Sequence, residues 1–189
     1  MFHESVSNVM PILEIRTIGD PVLRQVAEPV RKVNAQTKQL IADMFETMYA
    51  AEGVGLAAPQ VGISQRLFVI DVGDGEPFAL VNPILVKGWN PIQDQEGCLS
   101  VPGVYMEVTR YERVLFKGRD EKDRAVQIEA TGLLARALQH ELDHLDGKIF
   151  VDLIEDKMAV DAQLAAMKQR LAEKALAVPA GGQGDTTRA

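Results

Sequence analysis

His140 and His144 are two of only three histidines in this 189-residue chain. They stand four residues apart, and Glu141 follows the first directly. On a helix that spacing puts both imidazoles on one face, one turn apart, where they can grip a single metal ion. Glu141 then lies close enough to take a proton from a water activated at that ion. A glutamate in this place points to hydrolysis rather than to a structural metal site.

A catalytic zinc or iron centre usually takes three protein ligands and leaves one position open. The remaining histidine, His3, lies in a polar N-terminal stretch. Gly147 fits the extended pattern of metzincin proteases, but the position of their third histidine is Phe150 here. A thermolysin-like site would use a downstream glutamate, for which Glu155 and Glu173 are candidates. The soft alternative is Cys98, the single cysteine, within Gln95-Glu96-Gly97-Cys98-Leu99-Ser100. A lone cysteine is more often a small buried hydrophobe. Gly97 leaves this one unhindered and a loop is expected to carry it, so Cys98 is the favoured third ligand.

These side chains need a scaffold. Thr131 can cap a helix that holds no proline from Gly132 to Asp146, and Gly147 sits where a C-terminal glycine belongs. Around that helix Leu133, Ala137 and His144 share the side of His140, while Leu134, Leu138, Leu142 and Leu145 form an adjoining apolar arc. The helix is expected to be buried. Asp143, close in angle to His140, either supports it or is a solvated acid.

Upstream, Asn34 is a plausible cap for a helix with Leu40, Ile41, Met44, Phe45 and Met48 on its core side. The glycine–alanine stretch that follows lacks the lysine of a phosphate loop. It ends at Gln60, whose amide could donate to an oxyanion. Strands are expected at 66–71, 78–81, 84–86, 104–109, 113–117 and 125–129. A turn at Asp74-Gly75 and a loop from Trp89 to Ser100 separate some of them. The class is α+β, with short, mostly antiparallel strands packed around a central metal-binding helix.

Net charge is −7, from 20 basic and 27 acidic residues, which argues against a general nucleic-acid binder. One cysteine excludes an intramolecular disulfide. The start of the chain lacks the basic and apolar regions of a secretory signal, and no stretch approaches the ~20 apolar residues of a membrane span. A cytoplasmic protein is expected. Residues 1–9 read as a flexible extension, with Met10 an alternative start; 10–155 as the catalytic domain; 156–177 as an amphipathic helix; and 178–189 as a disordered tail.

Gly53-Val54-Gly55-Leu56-Ala57-Ala58-Pro59-Gln60, Glu96-Gly97-Cys98-Leu99-Ser100 and Gln139-His140-Glu141-Leu142-Asp143-His144 together resemble the three signature motifs of peptide deformylases, in order. The similarity runs from about Ile12 to Asp152. The short spacing between Gln60 and Cys98 resembles the shorter bacterial subtype. The resemblance implies that Cys98 as thiolate, His140 and His144 bind one metal ion, and that Glu141 is the general base. It further implies that the Gln60 amide and the Leu99 N–H stabilise the oxyanion. The substrate would be the formyl group on an N-terminal methionine. The peptide would lie extended, bonded near Val54, Gly55 and Gly97, with its methionine in a pocket near Val54, Ala137 and His140. Glu96 and Arg110 would form a supporting ion pair beside Asp143.

The same resemblance favours Fe²⁺ as the physiological ion, with Zn²⁺, Ni²⁺ or Co²⁺ in purified material. It implies formyl-methionyl nascent chains as partners and transient work near the ribosome exit, by a monomer that binds neither DNA nor membrane. Lys157, Lys168, Arg170 and Lys174 could touch ribosomal RNA or simply solvate an outer helix face. Two positions depart from the commoner pattern: Tyr105 replaces an arginine near the cleft, and Arg136 replaces an apolar residue. Arg136 is expected at the cleft rim, supplying the charge that position 105 lacks. The rival readings are a peptidase for internal bonds and a non-catalytic metal protein.

Overall fold

A computed structural model of the chain describes residues 11–177. The expectations for residues 1–9, for Met10 and for 178–189 lie outside the described residues. The chain divides into two compact units between Glu155 and Asp156.

In the first unit, α1 (Ala35–Ala50) begins where Asn34 accepts the Thr37 N–H at 3.0 Å. Its buried side includes Ile41, Met44 and Met48. Five strands follow in a sheet whose spatial order is the chain order, every neighbour antiparallel. They are β1 (Gly55–Ala57), β2 (Leu67–Ile70), β3 (Phe78–Cys98), β4 (Val101–Arg119) and β5 (Ala125–Thr131). Helix α2 (Gly132–Leu145) leaves β5 without a gap. In the second unit, α3 (Lys157–Ala177) is capped by Asp156, which accepts the Ala159 N–H at 3.0 Å.

The period-two alternation of β2 explains the layering. Phe68 and Ile70 join Leu80, Phe116, Leu138 and Leu145 in the cluster on the α2 side. Leu67 and Val69 join Ile41, Met44, Met48 and Leu56 in the cluster on the α1 side. All four residues of β2 are therefore buried, which is why the strand is an unbroken apolar run. The α+β class and the central position of α2 agree with the sequence reading.

The strands are not all short. β3 runs for 21 residues and β4 for 19, and the stretch expected to loop from Trp89 to Ser100 is strand as far as Cys98. Of β3, only Phe78–Val81 pairs with β2; beyond that, β3 pairs with β4 alone. A free edge tolerates Pro91, which has no N–H to give, and a strand half in water loses its apolar alternation. Register shifts near Val81, Leu85 and Gly97 bend the ribbon. The Lys87 ammonium and the Arg113 guanidinium both lie over the Trp89 ring, 4.8 and 4.9 Å from its centre.

The ends of α2 differ from expectation at one side only. Thr131 holds the cap position without a side-chain bond to the helix. Gly147 ends the helix as expected, at φ 71° and with the Arg24 backbone 2.9 Å from where a Cβ would lie.

Candidate active site

Burial of α2 carries the chemistry inward: His140, Glu141 and His144 are all buried. The end of β3 comes alongside, so Cys98 Sγ lies 3.2 Å from His144 Nε2. The potential ligand atoms of Cys98, His140 and His144 are all within 4.8 Å of one another. Among the described residues this is the one such group, and neither Glu155 nor Glu173 joins it.

The donor set fits one divalent cation. His140 turns Nδ1 to Glu96 Oε2 at 3.0 Å, which leaves Nε2 for the site. Glu141 Oε2 is buried without a partner, an orphan carboxylate oxygen on a residue that lines the same cleft as Cys98 and His140. A sulfur and two nitrogens suit zinc and ferrous iron alike.

Charge at the site is arranged by burial and pairing. Burial alone would raise Glu96, but hydrogen bonds from His140 and Arg110 outweigh it and bring the carboxyl down to about 2. Arg110 is likewise desolvated, yet Glu96 and Asp143 hold its pKa above the ordinary value. Its Nη1 donates to Asp143 at 2.6 Å. Burial pushes Glu141 up to about 7, the positive charge of His140 offsetting only part of the rise. Burial, and then the charge of His140, depress His144 well below its usual range. Burial works against the charge on His140 too, but contacts with Cys98 and Glu96 keep its pKa high.

Gln60 is fixed in orientation. Its Oε1 accepts the Ala57 N–H at 2.8 Å, so its amide nitrogen faces Ser100 Oγ at 3.1 Å and Cys98 Sγ at 3.7 Å. Buried Ser100 was not singled out from the sequence; its position two residues after Cys98 was the only signal. A cleft of about 430 Å³ opens above these groups. Val54, Gly97, Leu99, Tyr105 and Ala137 line it, together with His140, Glu141 and Gln60. Gly55 packs directly on Glu141, leaving no room for a Cβ.

The structure thus brings together Cys98, His140, His144, Glu141 and Gln60, with Glu96, Arg110 and Asp143 behind His140. Arg136 corrects the sequence reading. It borders the cleft, but its side chain is only 9% exposed and its guanidinium is turned to Glu96 at 3.0 Å. It does not stand at the rim as a free charge.

Residues 12–159 match the model of the polypeptide deformylase family. Peptide deformylase 2 of Gloeobacter violaceus is 47% identical over 159 residues, covering 82% of this chain and 85% of the relative. Peptide deformylase of Halothermothrix orenii is 51% identical over 146 residues, covering 77% and 95%. The crystal structure of a peptide deformylase from Legionella pneumophila superposes with a TM-score of 0.80 at 43% identity, covering 86% of this chain and 98% of that one. A peptide deformylase from Synechococcus elongatus, crystallised with actinonin, gives 0.78 at 44% identity, covering 86% and 87%. By a match that spans residues 12–159 and the fold they form, the chain belongs to the polypeptide deformylase family of hydrolases.

Proposed function

We propose that the protein is a metal-dependent peptide deformylase, removing the formyl group from the N-terminal methionine of newly made polypeptides and releasing formate. The observation that carries this reading is the buried, unpartnered Glu141 oxygen beside the Cys98, His140 and His144 donors, at the floor of an open cleft. A structural metal site needs no such carboxylate.

Cys98, His140 and His144 would hold one divalent ion, Fe²⁺ in the cell and Zn²⁺, Ni²⁺ or Co²⁺ as workable substitutes. When bound, that ion supplies a water of lowered pKa and polarises the formyl carbonyl. The chain does the rest. An extended peptide bonds to backbone at Val54, Gly55 and Gly97, as an added strand. Its methionine enters the cleft beside Val54 and Ala137. The Gln60 amide, held by Ala57 and Ser100, and the Leu99 N–H donate to the oxygen on which charge develops. Glu141 accepts the proton of the attacking water and delivers it to the departing nitrogen, a double duty that a carboxyl raised to about 7 suits. Glu96, Arg110 and Asp143 orient His140 from behind.

The proposed setting is a cytoplasmic monomer working transiently near the ribosome exit on formyl-methionyl nascent chains, through a catalytic domain of residues 10–155. Among the described residues no helix is long and apolar enough to cross a membrane.

Formate release from a short formyl-methionyl peptide tests the proposal, using protein purified without oxygen beside Glu141→Ala. The parent should release formate and the variant should lose at least roughly 100-fold in rate. Cleavage of unformylated peptides without formate release would replace this reading with a peptidase.

A further inference from the structure

Cys98 comes from the end of β3 and His140 from the middle of α2, so the donor geometry depends on how those elements are fastened. One buried cation at that junction has no part in the roles above. Arg136 lies on α2 one turn before His140 and is 8% exposed. Its Nη1 donates to Glu96 Oε1 at 3.0 Å and, at 3.4 Å each, to the carbonyl oxygens of Asp94 and Val108. Asp94 and Val108 are register partners across β3 and β4, so one guanidinium touches both strands of the ribbon. Its Nη2 stands 3.5 Å from the Asp94 carboxylate.

Glu96 completes the circuit. It accepts Arg110 on both oxygens and His140 Nδ1 on Oε2. Contacts run from α2 at Arg136 to β3 at Glu96 and back to α2 at His140. Two guanidinium groups face the one negative charge of Glu96, and Asp143 and Asp94 meet the excess.

We infer that Arg136 is a positioning residue for the metal ligands: it fixes Glu96, and through Glu96 the ring of His140, while holding the β3–β4 ribbon that carries Cys98 against α2. The role rests on the deformylase reading. It calls for arginine, because the planar guanidinium turns Nη1 to Glu96 and the two strand carbonyls while Nη2 faces the Asp94 carboxylate, a spread that a single ammonium nitrogen does not span.

Cobalt(II) titration of the metal-free protein against a competing chelator tests this, with the ligand-field absorption of the bound ion as a second readout. Arg136→Met is expected to weaken cobalt binding roughly ten-fold and shift the absorption bands. With a neutral formyl-methionyl peptide its kcat should fall while KM stays within about two-fold. Arg136→Lys should lie between parent and Arg136→Met. A folded Arg136→Met with parental affinity and spectrum overturns the inference. So does one whose sole defect is a higher KM for peptides acidic at the second residue, which would make Arg136 a substrate contact. If Arg136→Met does not fold, Arg136→Lys decides alone: weakened binding with shifted bands supports the inference, and parental values overturn it. A parent that binds no cobalt removes the deformylase reading itself and this inference with it; equal binding by parent and variants removes the inference only.

Discussion

Arg110 holds Glu96 in a fork, its Nε donating to Oε1 at 2.8 Å and its Nη2 to Oε2 at 3.0 Å, with side chains 6% and 4% exposed. A pair this dry is strongly coupled, since removing one partner strands a buried charge. Arg110→Met should therefore cost about 3 kcal/mol in urea unfolding, with Arg136 and His140 left to share Glu96. Adding Glu96→Gln should recover part of that loss. A double variant as unstable as the sum of its parts would show that the fork is not coupled.

The low pKa of Glu96 has a definite sign in stability. The carboxyl titrates at about 2 in the fold against an ordinary 4.5. Between those values the unfolded chain binds the extra proton, so this contribution is complete above 4.5 and drains away as the pH falls toward 2. Urea midpoints of the metal-free protein should drop through that window, and Glu96→Gln should flatten this part of the curve. An unchanged slope in the variant would assign the acid sensitivity to other groups.

Tyr105 lies over Gly97 at the edge of the cleft. A Cβ on Gly97 would fall 2.5 Å from the Tyr105 ring, which is 64% exposed and free to swing outward. Gly97→Ala should cost under about 1 kcal/mol of stability, because the displaced ring stays in water. It should raise KM for peptides, since both residues line the cleft. Tyr105→Ala in the same chain should restore much of that KM, the non-additivity expected of side chains in contact.

Two glycines frame α2 with unequal demands. Gly132 has φ 57° but open space around it; Gly147 has φ 71° and the Arg24 backbone against it. Gly132→Ala should cost about 1 kcal/mol for left-handed backbone alone. Gly147→Ala carries that cost and a clash with main chain that cannot rotate away. Thermal melts of the two variants should separate clearly, and equal shifts would remove the steric argument.

Much of the site was legible because its chemistry is written locally. Two histidines one turn apart with a glutamate between them need only a helix, and Asn34 announces α1 as plainly. Cys98 could be chosen by elimination, but not its strand: with Gly88, Pro91 and a solvent-exposed edge, the stretch leading to Cys98 carries no apolar pattern to mark it. Arg136 was misjudged for a related reason. Its angle on α2 is visible in the sequence, whereas Glu96, the acceptor that consumes its charge, is 40 residues away and reaches it only through the ribbon. Gln60 and Ser100, also 40 residues apart, meet by the same route.

The three candidate ligand atoms come from positions 98, 140 and 144, on either side of β4 and β5. Neither the hairpin nor the helix alone presents three donors, so capture of an ion by all three would require the two to dock. Cation uptake, on the proposed reading, would report when that long-range contact has formed. A bound ion would join the same two elements, and tight binding to the folded form alone would stabilise that form by mass action. Loss of the ion would remove one tie between helix and ribbon and leave the contacts of Arg110 and Arg136 with Asp143 and Glu96 to hold the metal-free form together.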